Sequence, residues 1–164
     1  LVFARTKRGT ERLTKNLNRE GFAAVMIHGD RSQSQRTAAL SGFQQGRYRI
    51  LVATDLASSG IHVQDIAHVI NYDLPEVAEN FIHRVGRTGR AGLHGVASTL
   101  FAREQRTELY QLERTLGIRM ERMSSHMTPS DVAAHEQRMK NDRSVSLARG
   151  KMVRLPGEFL QAQM

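Results

Sequence analysis

Ala23-Ala24-Val25-Met26-Ile27-His28 is an unbroken apolar run that stops at once on Gly29-Asp30-Arg31-Ser32. A strand with one wet face alternates apolar and polar residues, whereas a continuous run is the pattern of a strand covered on both faces. The pattern recurs before it at Leu1-Val2-Phe3-Ala4. It returns after it at Ile50-Leu51-Val52-Ala53-Thr54, Ala67-His68-Val69-Ile70-Asn71 and Gly95-Val96-Ala97-Ser98-Thr99-Leu100-Phe101. Between these runs the apolar period changes to that of a helix. After the basic loop Arg5-Thr6-Lys7-Arg8-Gly9, Thr10 is the expected cap of a helix with Leu13 and Leu17 at i and i+4, closed by Gly21. A second helix is expected from Gln33 to Gln45, with Ala39, Leu40 and Phe43 on one side and Gly46 at its end. A third starts near Glu76 and carries Val77, Phe81 and Ile82 inward. A fourth runs from Arg103 to Leu116 with Leu109, Leu112 and Leu116 in phase.

Strands alternating with helices at this spacing predict βαβ units, right-handed crossovers and an α/β fold: a mainly parallel sheet between two layers of helices. In such a sheet the loops at the strand C-termini share one edge. The polar signatures after Ala4, His28 and Thr54 are therefore expected side by side. Residues 1–123 form the expected domain. From 124 to 164 the periodicity fades, with one possible short helix from Pro129 to Lys140, and an irregular, partly flexible extension is expected.

The 164 residues suffice for one domain with a proper core. No apolar run approaches the ~18 to 20 residues of a membrane helix. The chain has no cysteine, which leaves no disulfide or thiolate site and fits a reducing, cytoplasmic setting. Its 24 Lys+Arg against 16 Asp+Glu give a net charge of +8 and a pI near 10.7, pointing to a polyanionic partner, with nucleic acid as the first choice. The chain opens on Leu1-Val2-Phe3 without an initiator Met, as a piece of something longer would.

The chemistry concentrates in His83-Arg84-Val85-Gly86-Arg87-Thr88-Gly89-Arg90. Three guanidiniums this close repel one another unless an anion sits among them, and each is a planar fork that grips phosphate oxygens in pairs. The functional reading is a phosphate clamp; the bland one is a solvated basic turn. Thr54-Asp55, at a strand end, places a hydroxyl and outward amides where a backbone phosphate docks, or is simply a helix cap. His28-Gly29-Asp30-Arg31, with Gln33 and Arg36, adds groups beside the same edge, or is a turn whose Asp30 caps the helix. The histidines have no metal-ligand spacing, so no metal site is expected. No Gly-x4-Gly-Lys-Ser/Thr occurs in these residues. Arginines without a phosphate-cradling loop suggest fingers that reach a nucleotide held by another domain.

Taken together, these residues resemble the second RecA-like domain of a DEAD-box ATP-dependent RNA helicase, over Leu1 to about Met123. Leu1 to Lys7 resembles motif IV, His28 to Arg36 motif IVa, Val52-Ala53-Thr54-Asp55-Leu56-Ala57 with Gly60 and Val63 motif V, and His83 to Arg90 motif VI. The resemblance implies a RecA-like three-layer fold. It implies that Arg87 and Arg90 are fingers on the ATP γ-phosphate, with Gly60 and His62 also at the nucleotide. Arg5, Thr6, Gly29, Arg31, Thr54 and Asp55 would face the RNA backbone, and His83 and Arg84 the first domain. The cofactor would be ATP with Mg²⁺, held mainly by that N-terminal RecA-like domain. Two residues depart from the family's motif V: Ser59 stands where it carries Arg, and His62 where it carries the Asp that contacts the ribose. They leave a second hypothesis, a helicase-like RNA-binding or scaffold domain uncoupled from ATP, and a weaker third, a DNA-dependent motor.

Overall fold

In a computed structural model the chain is described over residues 1–58, 63, 66–89 and 95–122 and along the backbone of 151–153. Each expected strand forms, trimmed at its ends, where the last residues have no ladder partner on one side. The strands are β1 (Val2–Phe3), β2 (Ala24–Ile27), β3 (Ile50–Ala53), β4 (His68–Asn71) and β5 (Val96–Thr99). All pair in parallel, in the spatial order β2-β3-β1-β4-β5. Beyond them Lys151–Val153 forms β6, antiparallel to β5. The rest of the C-terminal extension, with the expected helix at 129–140, lies outside the described residues.

The period-2 geometry of a strand divides neighbouring residues between two cores. Val2, Ala4 and Val52 go to one face, where Leu13 and Leu17 of α1 (Lys7–Arg19) cover them. Phe3, Ile27, Leu51, Ala53 and Val69 go to the other, against Ala39, Leu40 and Phe43 of α2 (Gln33–Gln44). The continuous apolar runs are thus explained by helices on both sides. A short α3 (Asp55–Ser58) follows β3. A third cluster joins Phe81 and Val85 of α4 (Ala78–Val85) to Leu109 and Leu112 of α5 (Arg106–Leu116), with Leu74, Ala97 and Met120.

Two expected helix caps are corrected by hydrogen bonding, and one expected inward residue by burial. The cap of α1 is Thr6, not Thr10: Thr6 is extended, with φ −123° and ψ 154°, and its Oγ1 accepts from Gly9 N at 3.0 Å. Thr10 lies inside the helix, fully buried, and donates its hydroxyl to Thr6 O at 2.9 Å. At α2 the cap is Ser32, not Asp30. Ser32 Oγ accepts from Gln35 N at 3.2 Å while Gln35 Oε1 accepts from Ser32 N at 3.1 Å, a reciprocal capping box. Val77, expected to point inward, is half exposed, because it is the extended residue that precedes α4; the first buried residue of that helix is Phe81. The fourth expected helix begins as a 3₁₀ turn, Arg103–Gln105, and stops at Gly117, whose φ of 64° favours glycine.

At the start of β4, His68 Nε2 lies 2.6 Å from Ser98 Oγ. Burial, first, and the positive charge of the Leu1 amine, second, lower the His68 pKa to about 4. The folded chain therefore holds this imidazole neutral while the unfolded chain protonates it near its ordinary value, so stability is present above about pH 6.5 and is lost as pH falls toward 4. Urea unfolding at pH 7 and pH 4.5 is expected to differ by about 2 kcal/mol on account of this residue. His68→Gln, which keeps a partner for Ser98, should flatten that pH dependence; an unchanged slope would refute the assignment.

Candidate functional site

Because β1, β2, β3 and β4 run parallel, the loops that leave their C-terminal ends converge on one edge, and side chains join them across long stretches of sequence. Lys7 Nζ, one residue past the β1 loop, pairs with Asp30 of the β2 loop. Chiefly through that hydrogen bond, the ammonium lowers the Asp30 pKa below the usual carboxylate value. Arg5 N donates to Asp73 Oδ2 at 2.8 Å and Arg5 Nη2 to Leu74 O at 3.2 Å, fastening the β1 loop to the segment after β4. Arg36 Nη2 donates to Ala57 O at 3.1 Å, tying α2 to α3.

Arg84 lies at the centre of this edge and is only 1% exposed. Its Nε donates to Asp55 Oδ1 at 2.6 Å and its Nη2 to Asp55 Oδ2 at 2.7 Å, a two-pronged ion pair. Nη1 donates to Asp73 O at 2.7 Å and to Asn71 Oδ1 at 3.2 Å, and the guanidinium lies 5.2 Å from the centroid of the Phe3 ring. Asn71 Nδ2 in turn donates to Thr99 Oγ1 at 3.1 Å. One side chain from α4 thereby touches β1, the loop after β3 and the end of β4, and through Asn71 reaches β5. Arg84, expected to face another domain, has no exposed surface to offer one. Asp55, expected to face RNA, gives both carboxylate oxygens to it.

The arginine-rich turn is fixed again four residues later. Thr88, 2% exposed, forms a parallel bridge with Ile66 and donates its hydroxyl to Ile66 O. Gly89 follows with φ 69°. Gly95 packs so closely against this turn that an added Cβ would collide with Thr88 Oγ1 and Gly89 N and stand 2.8 Å from Gly89 Cα. Arg87 is half-buried between the two anchors, and His83 is exposed. Arg5, Thr6 and Gly29 are exposed, Arg31 is half-buried and Thr54 is 7% exposed. His28 is buried, with Nε2 3.3 Å from Glu11 Oε1. Ser59, Gly60, His62 and Arg90 lie outside the described residues.

Sequence reasoning missed Asn71, Asp73, Thr88 and Lys7 as organisers of the edge. Asn71 carried a signal, a polar residue ending an apolar strand; Asp73 and Lys7 read as ordinary surface residues. Among the described residues no three His, Asp or Glu side chains come together as a metal site would require.

With this geometry in hand, comparison with known proteins gives the class. Residues 1–92 match the family described as helicase conserved C-terminal domain. The DEAD-box ATP-dependent RNA helicase CshA of Geobacillus kaustophilus is 46% identical over 123 residues, 75% of this chain and 26% of that protein. A DEAD-box protein of Methanococcus jannaschii, 47% identical, superposes on 72% of this chain and 32% of its own with a TM-score of 0.69. The E. coli DEAD-box protein SrmB, solved bound to regulator of ribonuclease activity A, is 34% identical over 70% of this chain and 67% of its own, with a TM-score of 0.67. The chain belongs to the helicase conserved C-terminal domain family, and within it to the DEAD-box RNA helicases, as their C-terminal, RecA-like domain. It spans about a quarter of the length of its curated relatives.

Removing a partner from a buried ion pair strands the other charge, so Arg84→Ala is expected to destabilise the chain by about 3 kcal/mol in urea unfolding. Adding Asp55→Ala should restore part of that loss, with a coupling of about 1 to 3 kcal/mol; strictly additive effects would show that the pair does not act as a unit. Gly95→Ala is expected to cost about 1 to 3 kcal/mol by overpacking against Thr88 and Gly89. A fully stable Gly95→Ala chain would mean that this close approach is relieved without penalty.

Proposed function

We propose that the intact protein is a cytoplasmic ATP-dependent RNA helicase and that this chain is its C-terminal motor half. The observation that carries the reading is the buried Arg84, which ties β1, the segment after β3 and the end of β4 into one edge and holds the turn bearing Arg87 at the same place. Arg87 and Arg90 act on the γ-phosphate of ATP, which with Mg²⁺ is held mainly by the N-terminal RecA-like domain. The donor chemistry fits, since a guanidinium fork matches phosphate oxygens and keeps its charge at any physiological pH. When bound, ATP supplies the phosphoryl bond whose cleavage drives domain opening and closing.

On the same edge Arg5, Thr6, Gly29, Arg31 and Thr54 face the RNA sugar-phosphate backbone. They are basic, small or hydroxylic, which fits recognition of the backbone by shape and charge. Asp55 serves this edge through Arg84, by fixing the first turn of α3. His83, exposed at the end of α4, is placed to support the contact with the first domain. Closure of the two domains on ATP and RNA then strains the bound strand locally.

The purified chain, with fingers but no phosphate cradle, is expected to show no RNA-stimulated ATPase. The two-domain protein should show it, and Arg87→Ala there should lower kcat by roughly 10³-fold or more while leaving the fold intact. Robust turnover by the chain alone, or an Arg87→Ala enzyme of ordinary activity, would overturn this reading. His62→Asp and Ser59→Arg in the two-domain protein separate it from the uncoupled alternative, in which ATP affinity is weak and rises with these changes.

A further inference from the structure

The outermost parallel strand, β2, leaves one side of its backbone open. Alternate residues of a strand aim their N–H and C=O to opposite sides. Ala23 O accepts from Ile50 N at 3.2 Å and Ile27 O from Thr54 N at 3.4 Å, so the odd-numbered residues face β3. The even-numbered ones face outward. Ala24 is already closed off, its N–H donating to Asn18 Oδ1 and its C=O accepting from Asn18 Nδ2, both at 3.0 Å. Met26 has no such plug, and no described strand lies beyond it.

Alongside Met26 a cleft of about 360 Å³ opens between α1 and α2. Ala38 and Ala39 give it an apolar wall, and Tyr48 closes one end with its ring laid against Gly42. Arg31 and Arg47 also line it, and none of its lining residues is Asp or Glu. The Nε of Arg31 is buried without a hydrogen-bond partner. Among the described residues Arg47 Nη2 donates to the neutral amide of Gln45, at 3.1 Å, a bond that leaves its charge uncompensated.

We propose that this cleft docks a short, extended, acidic segment of a partner protein. The segment lies along β2 and exchanges backbone hydrogen bonds with Met26. It seats an apolar side chain against Ala38 and Ala39 and brings a carboxylate to Arg47. Asn18 fixes the register, because pairing cannot continue past Ala24. An extended peptide fits better than RNA: the wall is apolar, the open edge offers peptide spacing of donor and acceptor, and a nucleic acid strand has no matching backbone donors.

The test is a selection of random nonapeptides on the full 164-residue chain, with the enriched peptides measured by calorimetry against the chain, Arg47→Glu and Ala38→Trp. Enrichment of sequences with acidic residues flanking an apolar one is expected, with affinity falling at least tenfold in both variants. The variants should bind oligouridylate within twofold of the parent chain, since neither residue lies among those assigned to RNA. Absence of enrichment, peptides without acids, or binding unaffected by both variants would each overturn the proposal. So would loss of oligouridylate affinity as large as the loss of peptide affinity, which would make the cleft part of the RNA surface.

Discussion

A guanidinium cannot be taken out of water without company, and Arg84 is taken out almost completely. An uncompensated buried charge costs several kcal/mol, so the walls around it must supply acceptors in the right directions. Here they are the two oxygens of Asp55, the side-chain oxygen of Asn71 and the main-chain oxygen of Asp73, with the face of Phe3 as the remaining wall. They belong to three segments of the chain. Satisfying one side chain therefore sets the relative positions of the β1 strand, the loop after β3 and the end of β4. Loops that would otherwise drift independently are made into one surface.

Three described acids of that surface are engaged within the fold. Asp30 is paired with Lys7, Asp55 with Arg84, and Asp73 takes the backbone N–H of Arg5. In a chain of net charge +8, these three carboxylates act as internal ties rather than as a negative fringe. A polyanion approaching the edge meets backbone amides, hydroxyls and cations, with two of the three carboxylates paired to cations and the third engaged by a backbone N–H, an arrangement suited to binding phosphate without reading sequence.

Much of the fold was legible because continuous apolar strands and helical periods are properties of contiguous residues. The helix starts were less so: Thr6 and Thr10 are both plausible caps from sequence, and only the backbone angle at Thr6 decides between them. Val77 shows the same limit, since a β-branched residue two past Pro75 fits either the first turn of a helix or the extended residue before it. The site was legible as an ordered set of motifs, each naming its residues. The division of labour within it was not. Asp55 and Arg84 are 29 residues apart, and whether they meet depends on β1 lying between β3 and β4, an interleaving that no local pattern encodes. From sequence Asp55 therefore reads as facing RNA and Arg84 as facing another domain, whereas in the fold they pair with each other.

That pairing also bears on how Arg87 is held. Arg87 sits in a turn buried at both ends, by Arg84 on one side and by Thr88 on the other, where Thr88 bridges to Ile66 and Gly95 leaves no space for the turn to settle deeper. A long side chain on a free loop loses much of its charge–charge gain to the entropy of being ordered at each encounter. With both ends of the turn fixed, most of the backbone ordering around Arg87 is already present in the folded domain. Electrostatic stabilisation is most effective when the donors need little reorganisation at the moment of reaction. The buried Arg84 and Thr88 thus fix the backbone from which the half-buried Arg87 extends.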